Sequence, residues 1–394
     1  MSARAPLPVP EAVGKLERGA LIAGVAGLLL TVIGGVVNPD QFFRSYLLAF
    51  LFWGGIPVGC LSIAMIHHLS GGMWGLVIRR ILEAGTRTLP LVAALFLPLL
   101  LGLPRLYEWA RPEAAADPVL RAKELYLNVP FFVVRAVFYF AVWCGLAYFL
   151  NKWSLELDAR YQIKVARRLR GLSGGGLVLL GLTITFSSID WGMSLNPHWF
   201  STIYGILFMV GQVLSAMALV VVLLARVADV RPFRGVVHPM QVHDLGKLML
   251  AFVMLWAYIN LSQFLIIWQG NLPEETPFYI TRMQGGWQVL GFLLLIFHFV
   301  LPFVMLLSRD LKRNARLLGS LAAGIFLVRL LDLYWLIAPD LAHGHGFHPH
   351  WLDLAAPLGV GGLWLWAFAR QLRDRPLLPV GEPEIRERLE EATA

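Results

Sequence analysis

Long apolar runs separated by short charged stretches dominate the chain. A helix that crosses a bilayer needs about 20 mostly apolar residues. Such runs recur ten times, at about 19–37, 42–68, 86–103, 129–150, 172–189, 200–226, 246–268, 285–307, 317–338 and 351–370. None shows the strict alternation over about ten residues that a membrane β-barrel strand requires. The pattern predicts an all-α polytopic membrane protein with about ten transmembrane helices. Lys15 and Arg18 precede the first run as in a signal peptide, but no small-residue cleavage site follows, so this run is read as a retained helix. The predicted organisation is an N-terminal segment (1–18), a transmembrane domain (19–370) and a C-terminal tail (371–394).

Composition agrees. Of 394 residues 58% are hydrophobic and 15% charged, with mean hydropathy +0.66; soluble domains hold roughly 45–50% apolar and 25% charged residues. Disorder, collagen and a secreted disulfide scaffold are excluded. Cys60 and Cys144 lie inside apolar runs and form no CxxC, haem-attachment motif or four-cysteine set, so no iron–sulfur cluster or c-type haem is expected in this chain.

The net charge of +8 changes meaning once the runs are drawn. Ten spans put both termini on one side. That side carries 25 Lys and Arg, and the opposite side only six: Arg44, Arg105, Arg111, Arg121, Lys123 and Arg282. Such a bias places both termini in the cytoplasm. The excess of base is therefore an orientation signal attractive to anionic lipid, and nucleic acid is not an expected partner.

The spans also repeat. The segment from Ile163 aligns without gaps to that from Leu311, at an offset of 148. Lys164, Arg168, Leu169, Gly171, Gly176, Leu179 and Leu182 match Lys312, Arg316, Leu317, Gly319, Gly324, Leu327 and Leu330. A parallel duplication of spans 2–5 and 6–9 predicts two four-helix bundles flanked by two further helices.

Ionisable groups inside spans are costly and usually face a bundle interior or a water-filled cavity. His298 lies mid-span 8, ahead of Pro302. Arg329 and Asp332 share a face of span 9 at i, i+3. Arg135 stands early in span 4 with Tyr139 at i+4, Asp190 closes span 5, Gln212 is mid-span 6, and Asn260 and Gln263 lie in the outer half of span 7. By depth, Arg135, Asp190, Asn260, Gln263, Arg329 and Asp332 form an outer set. His67, His68, Glu83, His243, Asp244 and Lys247 form an inner one, with His298 between. One reading is a proton route, or a quinone headgroup pocket, through His298, Asp332, Arg329, Asp190, Arg135, Asn260 and Gln263, continued inward by His67, His68, His243 and Asp244. The other is structural: an ion pair neutralising its own burial, polar groups bridging helices, and His67 and His68 at the interface. Haem is not expected, because no second mid-span histidine faces His298. Gly71-Gly72 and Gly174–Gly176 lack the lysine and strand context of a phosphate loop. The loop His343, His345, His348, His350 alternates histidines without carboxylates or thiolates, and is read as solvated with no metal.

Three strings, HHLSGGMWGLVIRRILEAGTRTLP (67–90), SIDWGMSLNPHWFSTIYG (188–205) and SQFLIIWQGNLPEE (262–275), resemble the NrfD-like, polysulfide-reductase-type membrane subunits of alternative complex III. The length is similar to the shorter of the two such subunits, and the likeness covers about 15–375. The resemblance implies a ten-helix core subunit of a bacterial respiratory quinol:cytochrome c or quinol:acceptor oxidoreductase in the inner membrane. It implies no redox cofactor bound by this chain, with menaquinone the candidate ligand. It also implies a larger NrfD-like paralogue, a periplasmic iron–sulfur subunit, and multihaem and monohaem cytochromes c as partners. The quinol site is expected in the larger paralogue; proton transfer by this subunit, or direct quinol binding, would be its contribution. An independent secondary transporter and a pure scaffold are the remaining alternatives.

Overall fold

Local chemistry marks where several spans begin. In the computed structural model, which describes residues 10–342 and 346–392, the Asn38 side chain accepts from the Gln41 N–H, Asn128 from Phe131, and Asn314 from Arg316 and Leu317. Prolines occupy the first turn of several helices, where no N–H is needed. Ten helices long and apolar enough to cross a membrane result, and no strand occurs among the described residues. They are α1 (Glu11–Val37), α2 (Pro39–Ser70), α3 (Arg79–Leu101), α4 (Val129–Ala159), α5 (Ile163–Trp191), α6 (Tyr204–Val227), α7 (Pro239–Gly270), α8 (Trp287–Leu307), α9 (Ala315–Leu341) and α10 (Leu352–Arg373).

The two predicted groups of four each close into a ring. Helix α2 packs on α3, α3 on α4, α4 on α5, and α5 on α2; likewise α6 on α7, α7 on α8, α8 on α9, and α9 on α6. The rings meet where α2 touches α6 and α9, and where α5 touches α6. Helices α2 and α6, the first of each ring, therefore fill the centre. Of their most apolar stretches, 94% and 78% lie inside the fold, against 28% for α1, α7 and α8. Gly59 makes the central contact close: a Cβ there would overlap the Gln212 carbonyl and stand 2.8 Å from Ala216 Cβ. The same neighbour order in both rings is what a duplication of spans 2–5 and 6–9 requires.

Helix α1 lies outside the rings against α10, which in turn covers α2 and α3. Backbones touch at two glycine pairs. A Cβ on Gly24 would lie 2.7 Å from Leu363 N, and one on Gly359 2.7 Å from Leu28 N, with Gly27 and Gly362 completing the seam. Small residues permit such approach between helices in lipid, where packing replaces the hydrophobic drive.

Several boundaries differ from the sequence pattern. On the side carrying the basic loops (the basic face), the helices run on past the apolar runs: α4 extends to Ala159, and α5 and α7 begin at Ile163 and Pro239. Backbone hydrogen bonding continues into the interfacial layer. Helix α3 is jointed, with Arg79–Thr86 and Leu89–Leu101 meeting at Arg87-Thr88. The C-terminal segment folds back over the basic face. Leu377, Leu378 and Ile385 are buried, Glu382 reaches Arg79 at 2.5 Å, Gly381 donates to Asp158 at 3.4 Å, and Arg388 of the helix Pro383–Glu391 (α11) donates to the Val236 carbonyl. Truncation before Leu377 takes Glu382 from the Arg79 guanidinium, leaving it Glu83 alone, and uncovers Val236. A lower thermal midpoint of the purified protein with helical content retained is the expected outcome, read by circular dichroism.

Candidate functional site

The outer set of polar residues divides between the rings. In the first, Arg135 of α4 clasps Asp190 of α5 with two parallel hydrogen bonds, Nε to Oδ2 at 2.8 Å and Nη2 to Oδ1 at 2.9 Å; Tyr139 donates to Oδ2 at 2.7 Å. Nη1 of Arg135 donates to the Tyr126 carbonyl, and the guanidinium lies 3.8 Å and 4.4 Å from the ring centroids of Tyr126 and Phe131. Asp190 is almost wholly buried. Burial, then the nearby Asp190 charge, pushes the Tyr126 phenol above its ordinary range. All three guanidinium nitrogens and the Tyr139 hydroxyl have acceptors, as a structural ion pair requires, while the buried Tyr126 hydroxyl has none.

The second ring holds a less satisfied arrangement. Helix α8 changes to π-helical hydrogen bonding over Leu295–Val300, a rare local widening often found at functional sites. His298 sits on it, fully buried, and neither ring nitrogen has a hydrogen-bond partner. Its imidazole faces the Trp256 indole of α7 at a centroid distance of 4.1 Å. Trp256 Nε1 donates to Asp332 Oδ2 of α9 at 3.1 Å, and Arg329 forms an ion pair with that same oxygen. Arg329 also donates to Ser215 of α6 at 3.4 Å, and lies where a Cβ on Gly211 would be. A continuous series therefore runs from Ser215 and Arg329 through Asp332 and Trp256 to His298. Asn260, one turn outward of Trp256, donates to the Trp256 carbonyl at 2.9 Å. Gln263 joins Ser201 (3.2 Å) to Tyr279 (3.4 Å), and burial pushes the Tyr279 phenol up to about 12.

Asp190 is thus tied to Arg135 and Tyr139 in the first ring, whereas Arg329 and Asp332 find their partners in the second. Gln212 belongs to the seam between rings: its side chain lies over Gly55, and its Oε1 is buried without a donor.

A cavity of about 640 Å³ opens beside this series. Trp256, Asn260, Phe264, Asp332 and Trp335 contribute to its wall, together with Tyr279 and Arg282 from the short helix Pro277–Arg282. At its mouth Tyr258, Leu261, Phe292 and Leu295 point outward, so it opens sideways from the helix layer, towards where lipid would lie.

No protein-family model and no curated protein matches this chain. Its chemistry has to be read from its own groups.

On the basic face, His67 is buried over Gly75, edge-on to Trp74 at 5.4 Å, with Nε2 3.2 Å from the Gly72 carbonyl. Gly71 and Gly72, with φ of 70° and 96°, shape the turn that closes over it. His68 is half-buried beside it, the two rings 5.8 Å apart. His243 is half-buried with Nδ1 unpartnered, and Asp244 pairs with Lys247 at 3.0 Å near the surface. The turn Met73–Leu76 packs against α7, the helix carrying His243 and Asp244. Glu83 is buried between Arg79 at 3.2 Å and Arg80, with Ser154 donating to it and Asp158 taking the other end of Arg80.

Two buried groups lay outside the sequence reading. Arg282, counted there among outer-loop bases, is fully buried: it pairs with Asp340 at 2.7 Å, donates to the Leu336 and Trp335 carbonyls, and lies 3.5 Å over Phe278. The aromatic four residues before it was the available signal. Trp256, one of 14 tryptophans, had no sequence feature to set it apart. His343 and His345 lie outside the described residues. His348 bonds the Gly346 carbonyl, and among the described residues no three His, Cys, Asp or Glu side chains gather as metal ligands would.

Proposed function

We propose that this chain is a core membrane subunit of a bacterial respiratory quinol:acceptor oxidoreductase of the alternative complex III kind, carrying no redox cofactor of its own, and that its second ring transfers protons linked to quinol oxidation. The three motif strings support the assignment to this kind of complex. The placement follows from the basic side: inner membrane, both termini cytoplasmic, with the larger NrfD-like paralogue, an iron–sulfur protein and cytochromes c as partners. The observation that carries the proton role is the His298 imidazole. A mid-span imidazole with both nitrogens free, one indole away from an ion-paired carboxylate, is an expensive arrangement for packing alone. As a relay it has a use. Asp332 takes a proton from the outer side, and water admitted from the adjoining cavity carries it past Trp256, whose indole N–H donates but cannot accept. His298 then exchanges it with groups nearer the basic face, where His67, His243 and Asp244 lie. Arg329 pairs with Asp332 and fixes the position of its carboxylate. Asp190, clasped by Arg135, has a packing role in this scheme.

In the reconstituted complex, His298→Leu and Asp332→Asn are expected to slow proton transfer through this chain by about 10²-fold, the scale of a lost general acid–base group. Electron transfer to the acceptor continues, so fewer protons appear outside per electron. Unchanged stoichiometry in both variants would mean that the series is only a scaffold.

A further inference from the structure

The seam between α1 and α10 is closed at mid-span and open at its basic end. Beyond the glycine pairs the two helices part around a cleft of about 300 Å³, lined by Gly14, Glu17, Arg18 and Leu21 of α1 and by Trp366 and Arg373 of α10. We propose that this cleft binds the headgroup of an anionic glycerophospholipid, whose phosphate bridges the guanidinium of Arg18 to those of Arg370 and Arg373. Charge selects the head. Arg373 is paired with Glu17 at 2.5 Å, and Lys15 with Glu11 at 2.9 Å, so the acids at this end of α1 are engaged. Arg18 and Arg370 have no acidic partner among the described residues; Arg370 only lies over the Trp366 ring, 5.8 Å from its centroid. Even counting Asp374, whose charge reaches Arg373 from outside the cleft, the cations are in excess. Spacing makes this one site: Gly14, Arg18, Leu21 and Val25 recur at helical intervals on α1, as Trp366, Arg370 and Arg373 do on α10. A phosphate suits such a place, because guanidinium groups bind it through paired N–H donors. Depth selects the tail. Leu21 forms an apolar floor, and Ile22 and Val25, within about one turn of it, are exposed towards where acyl chains would lie. Free phosphate has nothing to place there. Trp366 belongs to the aromatic belt expected at this level. The site also serves the fold: α1 is among the least buried spans, and a phosphate shared by both helices ties its basic end to α10. The proposal needs the basic end of the spans to lie at a headgroup layer, and nothing of the respiratory role.

The test uses the purified full chain in phosphatidylcholine nanodiscs carrying a small share of a photoreactive lipid. Its diazirine sits high in one acyl chain, and its headgroup is either phosphoglycerol or phosphocholine. After illumination, the phosphoglycerol form should label residues 14–25 and 363–373 at least several-fold more than the phosphocholine form. On the lipid-facing side of α8 the two forms should label alike. Arg18→Gln/Arg370→Gln should lower the phosphoglycerol label to the phosphocholine level. Arg18→Lys/Arg370→Lys, which keeps both charges, should retain most of the excess. Lys15→Gln should retain all of it, which separates the site from general attraction to the basic face. Both substituted arginines are exposed, so helical content by circular dichroism should be unchanged in every variant. Equal labelling by the two lipids, or an excess that survives Arg18→Gln/Arg370→Gln, would overturn the site. So would loss of the label to inorganic phosphate at constant ionic strength, which would make the occupant an aqueous anion.

Discussion

Replacing Arg135 with leucine is expected to destabilise the first ring by about 3–5 kcal/mol, the usual cost of stranding one member of a buried ion pair. Asp190 would lose both guanidinium hydrogen bonds and keep only the Tyr139 hydroxyl. The variant has no neighbouring cation with which to replace the clasp, because the other surroundings are Tyr126, Phe131 and backbone. Asp190→Leu should cost a similar amount, since it leaves the guanidinium with the Tyr126 carbonyl and two aromatic faces. The double variant Arg135→Leu/Asp190→Leu is the informative one. Removing both charges removes the desolvation penalty together with the attraction, so it should recover most of the loss. Equilibrium unfolding in mixed detergent micelles gives the three values. Near-additive losses would show that the two groups act independently, contrary to the geometry.

Gly359→Leu is expected to separate α1 from α10. The new Cβ would meet the α1 backbone, 2.7 Å from Leu28 N, and no side-chain rotamer relieves a clash between two main chains. Forcing bulk into a closed interface costs about 1–3 kcal/mol where neighbours can shift. Here the neighbour is a helix backbone, so the seam should open rather than distort. The rings do not depend on α1, whose most apolar stretch is only 28% buried. Expressed as two pieces divided after Val37, the unaltered protein should keep α1 bound through purification, and the Gly359→Leu protein should lose it. Retention of α1 by the variant would show that Thr31, Ala20 and the flanking side chains, not the glycine seam, hold the helix.

Periodicity and depth carried the fold a long way. Ten apolar runs became ten helices, and the match of Ile163–Leu182 to Leu311–Leu330 anticipated two rings with the same neighbour order. Those features are local, or repeat a local feature, so a linear scan registers them. Partnerships are different. Sequence depth grouped Asp190 with Arg329 and Asp332, yet the helices that bear them belong to different rings, and depth says nothing about position around a ring. Arg282 reads as a loop base until the short helix Pro277–Arg282 tucks it beneath α9. The π-helical turn at His298 runs up to Pro302, which has no N–H for the His298 carbonyl, so a proline marked the place without specifying the widening. The joint in α3 was legible: Pro90, in the first turn of its second part, has no N–H to offer the Thr86 carbonyl, so the ladder breaks just before it.

The seam between α1 and α10 joins the first span to the last. A ribosome adds about 5–20 residues per second, so roughly 300 residues of synthesis, about 15–60 s, separate the two helices. During that interval α1 waits in the bilayer with Gly24 and Gly27 uncovered, a small-residue face that other helices can grip. This seam therefore closes only once α10 has been made, long after α1. Any truncated product that stops before Leu352 carries an unsatisfied helix face into the membrane, where quality-control factors can distinguish unfinished chains from complete ones.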